Sequence, residues 1–144
     1  MDKIVEFYIL KGDKRLAPYK KHKGDAGFDL RSADDYTILP GETMALPTGI
    51  AVRIPEGYVG LIKPRSSWGL KGFNTTAGVI DSTYRGEIKI VLQNLSNKAY
   101  YIGKYERIAQ LIVTPVILRG KVFLGEPPMD TERKDNGFGS TGKE

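Results

Sequence analysis

The chain is 144 residues long, enough for one domain to bury a core without covalent staples. It has no cysteine and a single histidine, so a disulfide framework, a thiolate metal centre and a histidine-rich zinc site are all excluded. Lysine and arginine number 22 against 17 acidic residues, a net charge of +5 that suits a polyanionic ligand without identifying it.

Residues 1–6 mix apolar side chains with charges, unlike a secretory leader, and no apolar run reaches the roughly 20 residues of a membrane-spanning helix. A cytoplasmic protein with no membrane partner is the expectation. Residues 4–10 read as the first strand. The lone histidine, His22, lies in the basic run Lys20-Lys21-His22-Lys23 and is read as solvated and inert. Gly24 to Arg31 then sets two carboxylates, Asp25 and Asp29, four residues apart. Further short strands are expected over 43–46, 49–54 and 58–63, punctuated by the turn residues Pro40-Gly41 and Pro55-Glu56-Gly57.

Pro64-Arg65-Ser66-Ser67-Trp68-Gly69 comes next. A guanidinium fork, two hydroxyls and backbone amides are the ingredients of an anion cradle, and at most a turn or two of helix is expected after Ser66. The stretch from Gly78 to Ile88 places a carboxylate, Asp81, three residues before an aromatic ring, Tyr84. Aspartate is a poor strand former, so Asp81 marks where a strand opens into a turn or a cavity. The glycines on either side let backbone approach a ligand closely. Taken alone, the segment fits an ordinary hairpin equally well.

Over 87–94, Lys89, Val91 and Gln93 alternate with Ile88, Ile90 and Leu92, the period of a half-buried strand. Residues 107–113 are the last expected strand. From Gly125 onward there is little apolar content beyond Met129 and Phe138, too little to order the tail by itself. Many short strands at near-even spacing indicate an all-β sandwich, barrel or jelly roll.

Five segments, in order, resemble the motifs of the trimeric dUTP pyrophosphatases (dUTPases): residues 25–32, 64–69, 78–88, 107–111 and 133–142. The resemblance covers nearly the whole chain. It implies a jelly-roll domain over 1–124 and a flexible C-terminal arm, 125–144, that closes over bound nucleotide. It further implies hydrolysis of dUTP to dUMP and pyrophosphate, which keeps uracil out of DNA and supplies dUMP for dTMP synthesis. A homotrimer with shared active sites, Mg2+ as cofactor and no nucleic-acid partner belong to the same expectation.

By this resemblance Asp81 matches the aspartate that holds the attacking water, where a carboxylate can take the proton as water attacks phosphorus. Tyr84 matches a ring packed on the deoxyribose, leaving no room for a 2′-hydroxyl. Base selection falls to backbone in a hairpin over 73–78 and to Gly78, Val79 and Ile80. Thr75 stands where some members carry a base-touching asparagine, with Asn74 one position earlier. Arg65, Ser66 and Ser67 match phosphate contacts, with Ser66 at the α–β bridging oxygen. Gln110 matches a triphosphate contact, and Lys89 is a candidate contact that also reads as a solvated strand lysine. Asp29 matches an aspartate that supports the metal through water, Mg2+ being held mainly by substrate phosphates.

In the arm, Arg133 would meet the γ-phosphate, Phe138 would stack on uracil, and Gly139, Ser140 and Thr141 would add donors. Asn136 stands where many members carry glycine and is expected to keep the left-handed bend. The nearest rival, dCTP deaminase, shares the fold but carries a glutamate ten residues after the third-motif aspartate, where this chain has Val91. A non-catalytic jelly-roll module for nucleotide or nucleic acid predicts basic and aromatic residues along one strand face, a clustering this sequence lacks.

Overall fold

Alternation of apolar and polar residues, interrupted by glycine and proline, produces a molecule of short antiparallel strands. In chain order they are β1 Glu6–Ile9, β2 Gly27–Arg31, β3 Tyr36–Ile38, β4 Thr43–Pro47, β5 Ile50–Arg53, β6 Tyr58–Pro64, β7 Phe73–Thr76, β8 Val79–Ile80, β9 Lys89–Asn94, β10 Tyr100–Ile102 and β11 Arg107–Pro115. A 3-10 turn, Lys14–Leu16, and one five-residue helix, α1 Ser66–Leu70, complete them. The computed structural model describes residues 3–138.

The strands form two sheets, β2-β11-β6-β8 and β4-β9-β7, and two ribbons, β1-β5 and β3-β10. Every pairing is antiparallel. This is an all-β jelly roll, and its sheets do not close into a barrel. In β9 the expected alternation holds: Ile90, Leu92 and Asn94 are buried while Lys89 is exposed. Leu30, Ile38, Leu46, Ile88, Ile90, Leu92, Ile102, Ile108 and Leu111 are fully enclosed between the layers. Each such aliphatic side chain contributes about 1.5–3 kcal/mol relative to exposure. Asn94 is buried at no polar cost. Its amide donates to the Ile38 and Lys98 carbonyls at 3.2 and 2.7 Å, and its oxygen accepts from Ser96.

Expected strands over 4–10, 43–46, 49–54, 58–63, 87–94 and 107–113 correspond to β1, β4, β5, β6, β9 and β11, with shifted ends. The strands β2, β3 and β10 were not anticipated. β2 carries Asp29, a poor strand former, at its centre, and β3 and β10 have only three residues each, too short for alternation to register. One expectation is corrected: residues 73–78 are not a hairpin. Ala77 and Gly78 both take left-handed backbone, φ 53° and 85°, and bend the chain there. The two arms then join different sheets, β7 pairing with β9 and β8 with β6. Each arm is thereby the edge strand of its sheet. Beyond Pro115, residues 116–138 contain no helix or strand and are exposed except for Gly137.

Candidate active site

One cluster forms where β2, β6 and β11 end side by side. Asp29 on β2 lies opposite Gln110 on β11, and Gln110 lies opposite Lys63 on β6. The Asp29 Oδ2 atom takes Arg107 Nη1 at 3.1 Å and Arg65 Nε at 3.3 Å, one carboxylate oxygen between two guanidinium groups. The Arg107 carbonyl accepts from Arg65 Nη1 at 3.3 Å and from the buried Trp68 indole at 3.1 Å. Trp68 thus anchors α1 to β11 and presents the exposed Ser66 and Ser67 beside Arg65. Gln110 donates to the Pro64 carbonyl at 3.1 Å, and its carboxamide occupies space that only a glycine at position 27 leaves open. Tyr19, Lys20, Lys21 and Asp25 rim the same depression.

The sequence did not single out Tyr19 or Arg107. Tyr19 is bridged to Asp29 by two backbone hydrogen bonds of 2.9 and 2.8 Å, and its ring lies under the Arg107 guanidinium at 4.4 Å. Arg31 approaches the same ring at 5.6 Å and donates to the Tyr105 carbonyl at 3.0 Å. Tyr105 holds a left-handed φ of 74°, and its hydroxyl donates to Asp13 at 2.6 Å. Hydrogen bonds from Arg15 and then Tyr105 pull the Asp13 carboxyl from 3.8 down to about 2. Position 107 stood at the head of a recognised segment, which was the one signal for Arg107; nothing marked Tyr19.

A second depression lies at the far end of the sheet, lined by Val79, Ile80, Asp81, Tyr84, Glu87, Ile88 and Lys89. The chain turns tightly after β8, with the Tyr84 amide donating to the Asp81 carbonyl at 3.0 Å. Asp81 and Lys89 are exposed there, and the Tyr84 hydroxyl donates to the Glu87 carbonyl at 2.9 Å. The outer edge of β8, with the exposed Val79, borders the same space. Val91 is half-buried within β9.

The structure keeps these two clusters apart. Ile80 faces Gly60, so Asp81 continues beside Val59, whereas Arg65 follows the opposite end of β6. Six residues of strand at about 3.3 Å each separate them by about 20 Å. Asp29, Arg65, Ser66, Ser67 and Gln110 are therefore brought together, as are Gly78, Val79, Ile80, Asp81, Tyr84 and Lys89, but the two sets do not meet within one chain. In the arm, Arg133 Nε donates to the Asn136 carbonyl at 2.6 Å, and Phe138 is fully exposed. The left-handed residues there are Lys134 and Phe138 rather than Asn136. Gly139, Ser140 and Thr141 lie outside the described residues.

Among the described residues no three His, Cys, Asp or Glu side chains gather to hold a metal ion. Asp29, with Oδ2 committed to two arginines, fits support of a hydrated cation through Oδ1.

A cationic depression at one end of a jelly-roll sheet, and a carboxylate with a tyrosine at the other, mark this small all-β chain. The dUTPase family model matches residues 13–142, and the chain belongs to the dUTPase family. It is 48% identical over 131 residues to the deoxyuridine 5'-triphosphate nucleotidohydrolase of Nautilia profundicola, covering 89% of this chain and 92% of that protein. The enzyme of the same name from Corynebacterium diphtheriae is 49% identical over 129 residues, covering 87% and 84%. Among solved structures, Staphylococcus bacteriophage 80alpha dUTPase with dUpNHpp superposes with a TM-score of 0.86 at 31% identity, covering 96% of this chain and 98% of that one. A dUTPase from phage phi11 of S. aureus, described with a structural Mg(II) ion, superposes at 0.76 with 26% identity, covering 85% and 97%.

Proposed function

We propose that this protein hydrolyses dUTP to dUMP and pyrophosphate, removing a source of uracil in DNA and supplying dUMP for dTMP synthesis. The observation that carries the reading is the depression where Asp81 and Tyr84 flank the outer edge of β8, in a chain 48% identical to a dUTP nucleotidohydrolase. Asp81 takes a proton from the water that attacks the α-phosphorus, and the α–β bridging oxygen leaves with pyrophosphate. The Tyr84 ring lies against C2′ of the sugar and excludes a hydroxyl there. Backbone groups of Gly78, Val79 and Ile80, at the free edge of β8, read the uracil N3–H and O4. Deamination is disfavoured by Val91, whose apolar side chain offers no acid.

Arg65, Ser66, Ser67 and Gln110 hold the triphosphate, and Ser66 donates toward the bridging oxygen as its charge develops. Asp29 fixes Arg65 and Arg107 and supports Mg2+ through water. The bound ion supplies charge neutralisation of the triphosphate. Because about 20 Å of β6 separates the phosphate and sugar clusters, a complete site takes one cluster from each of two copies. We assign the protein as a homotrimer with sites at its subunit junctions. The arm, 125–144, brings Arg133 and Phe138 over the γ-phosphate and base, with Gly139 and Ser140 beside them. Purified protein with Mg2+ is expected to release pyrophosphate from dUTP and to leave dCTP, dTTP and UTP nearly untouched. Equal release from UTP, or ammonia from dCTP, would refute the assignment.

A further inference from the structure

Tyr84 is nearly half exposed, yet its ring is held in one place. Its hydroxyl donates to the Glu87 carbonyl at 2.9 Å, so the ring folds back over the intervening backbone. That backbone is Gly86. A β-carbon at position 86 would stand 2.5 Å from the Tyr84 hydroxyl oxygen, 2.7 Å from Cζ and 3.0 Å from Cε1. Contacts this short cannot persist, and the ring, hinged at two torsions, is the part free to move. Gly86 does not occupy the left-handed region, so its lack of a side chain answers no demand of the main chain. Its bareness leaves room for the ring.

The support beneath is well fixed. Glu87 Oε2 accepts from the Gly49 amide at 2.9 Å. The Ile88 carbonyl accepts from the Thr48 hydroxyl at 2.6 Å, and the Ile88 amide donates to Ile50 at 2.8 Å. The carbonyl that tethers Tyr84 is therefore carried on backbone bonded on both sides to the β4–β5 turn.

We infer that Gly86 and the Glu87 carbonyl are positioning elements for sugar selection: together they hold the Tyr84 ring where it rejects a 2′-hydroxyl. The inference rests on the reading of Tyr84 given above. A ring that can swing discriminates poorly, because rejection by contact needs a wall that does not yield.

The test is the ratio of kcat/KM for dUTP to that for UTP, measured in wild type, Gly86→Ala, Tyr84→Leu and the double variant. Gly86→Ala is expected to lower the ratio at least tenfold while the melting temperature stays near that of wild type. In the Tyr84→Leu background, Gly86→Ala should change the ratio less than twofold, since no ring remains to displace. Tyr84→Phe keeps the ring, removes only its tether and is expected to lower the ratio by a smaller factor, so the inference stays testable should Gly86→Ala fail to assemble. A discriminating wild type whose Gly86→Ala and Tyr84→Phe variants discriminate equally well would overturn the inference alone. A drop as large with Leu at position 84 would do the same. A wild type that accepts UTP as readily as dUTP would overturn the reading of Tyr84 and the inference with it.

Discussion

Asp81 follows the end of one strand and Asp29 sits within another, and the surroundings of the two carboxylates differ. Asp29 is engaged by two guanidinium groups on one oxygen, which makes it an organiser of cations. Asp81 is exposed beside an aromatic ring, which leaves it available to a water. Asp81→Asn is therefore expected to bind a non-hydrolysable dUTP analogue within a few-fold of wild type while kcat falls about a thousandfold or more. Calorimetry and steady-state kinetics on one preparation check both halves, and a variant keeping a tenth of the rate would place the base elsewhere. Asp81 was legible in sequence because it ends the apolar run Val79-Ile80, whereas the roles expected of Tyr84 and Arg65 came from the resemblance of their segments to dUTPase motifs. The pairing of Arg107 with Asp29 was not legible, since 78 positions separate them and only the sheet brings them together. The Tyr19 ring was invisible for the same reason, its place being set by a backbone bridge to Asp29.

Among the elements, the longest strands were the most readable, because alternation needs several residues to show. β9, of six residues, appeared with its alternation, and β6 and β11, of seven and nine, appeared as strands, whereas β3 and β10, of three residues each, did not. The bend at Ala77–Gly78 has two consecutive left-handed residues, as a tight hairpin would, yet its arms went to separate sheets, a choice made by their partners β6 and β9. The arm is the element least tied to the rest. Residues 129–136 are all exposed, so removing them costs the core nothing. A chain ending after Pro128 is expected to keep its assembly state and melting temperature while kcat for dUTP falls at least about a hundredfold, through loss of closure over the nucleotide. Full-rate turnover by the shortened chain would show that the arm takes no part in turnover.

For the whole molecule, the separation of the two clusters has a direct experimental counterpart. Asp81→Asn spoils the sugar and water side, and Arg65→Ala spoils the phosphate side. If each site joins both sides from neighbouring copies, mixing and reassembling the two inactive variants creates junctions with neither lesion. Random mixing in equal amounts on a three-fold ring restores about a quarter of the sites. Recovered activity near that fraction, with a trimer mass by light scattering, is the expected outcome; no recovery, or an active monomer, would show that one chain suffices.

The position of β11 carries a further consequence, for biosynthesis. It lies between β2 and β6 in the larger sheet, yet it begins only at Arg107. On the ribosome β2 and β6 emerge long before the strand that joins them, and neither has the other as a neighbour. The sheet can close only after β11 has emerged. A nascent chain cut short before that point lacks both Arg107 and Gln110, so the cationic depression they line cannot form. Such a product keeps the facing edges of β2 and β6 unpaired, a template for association with another chain.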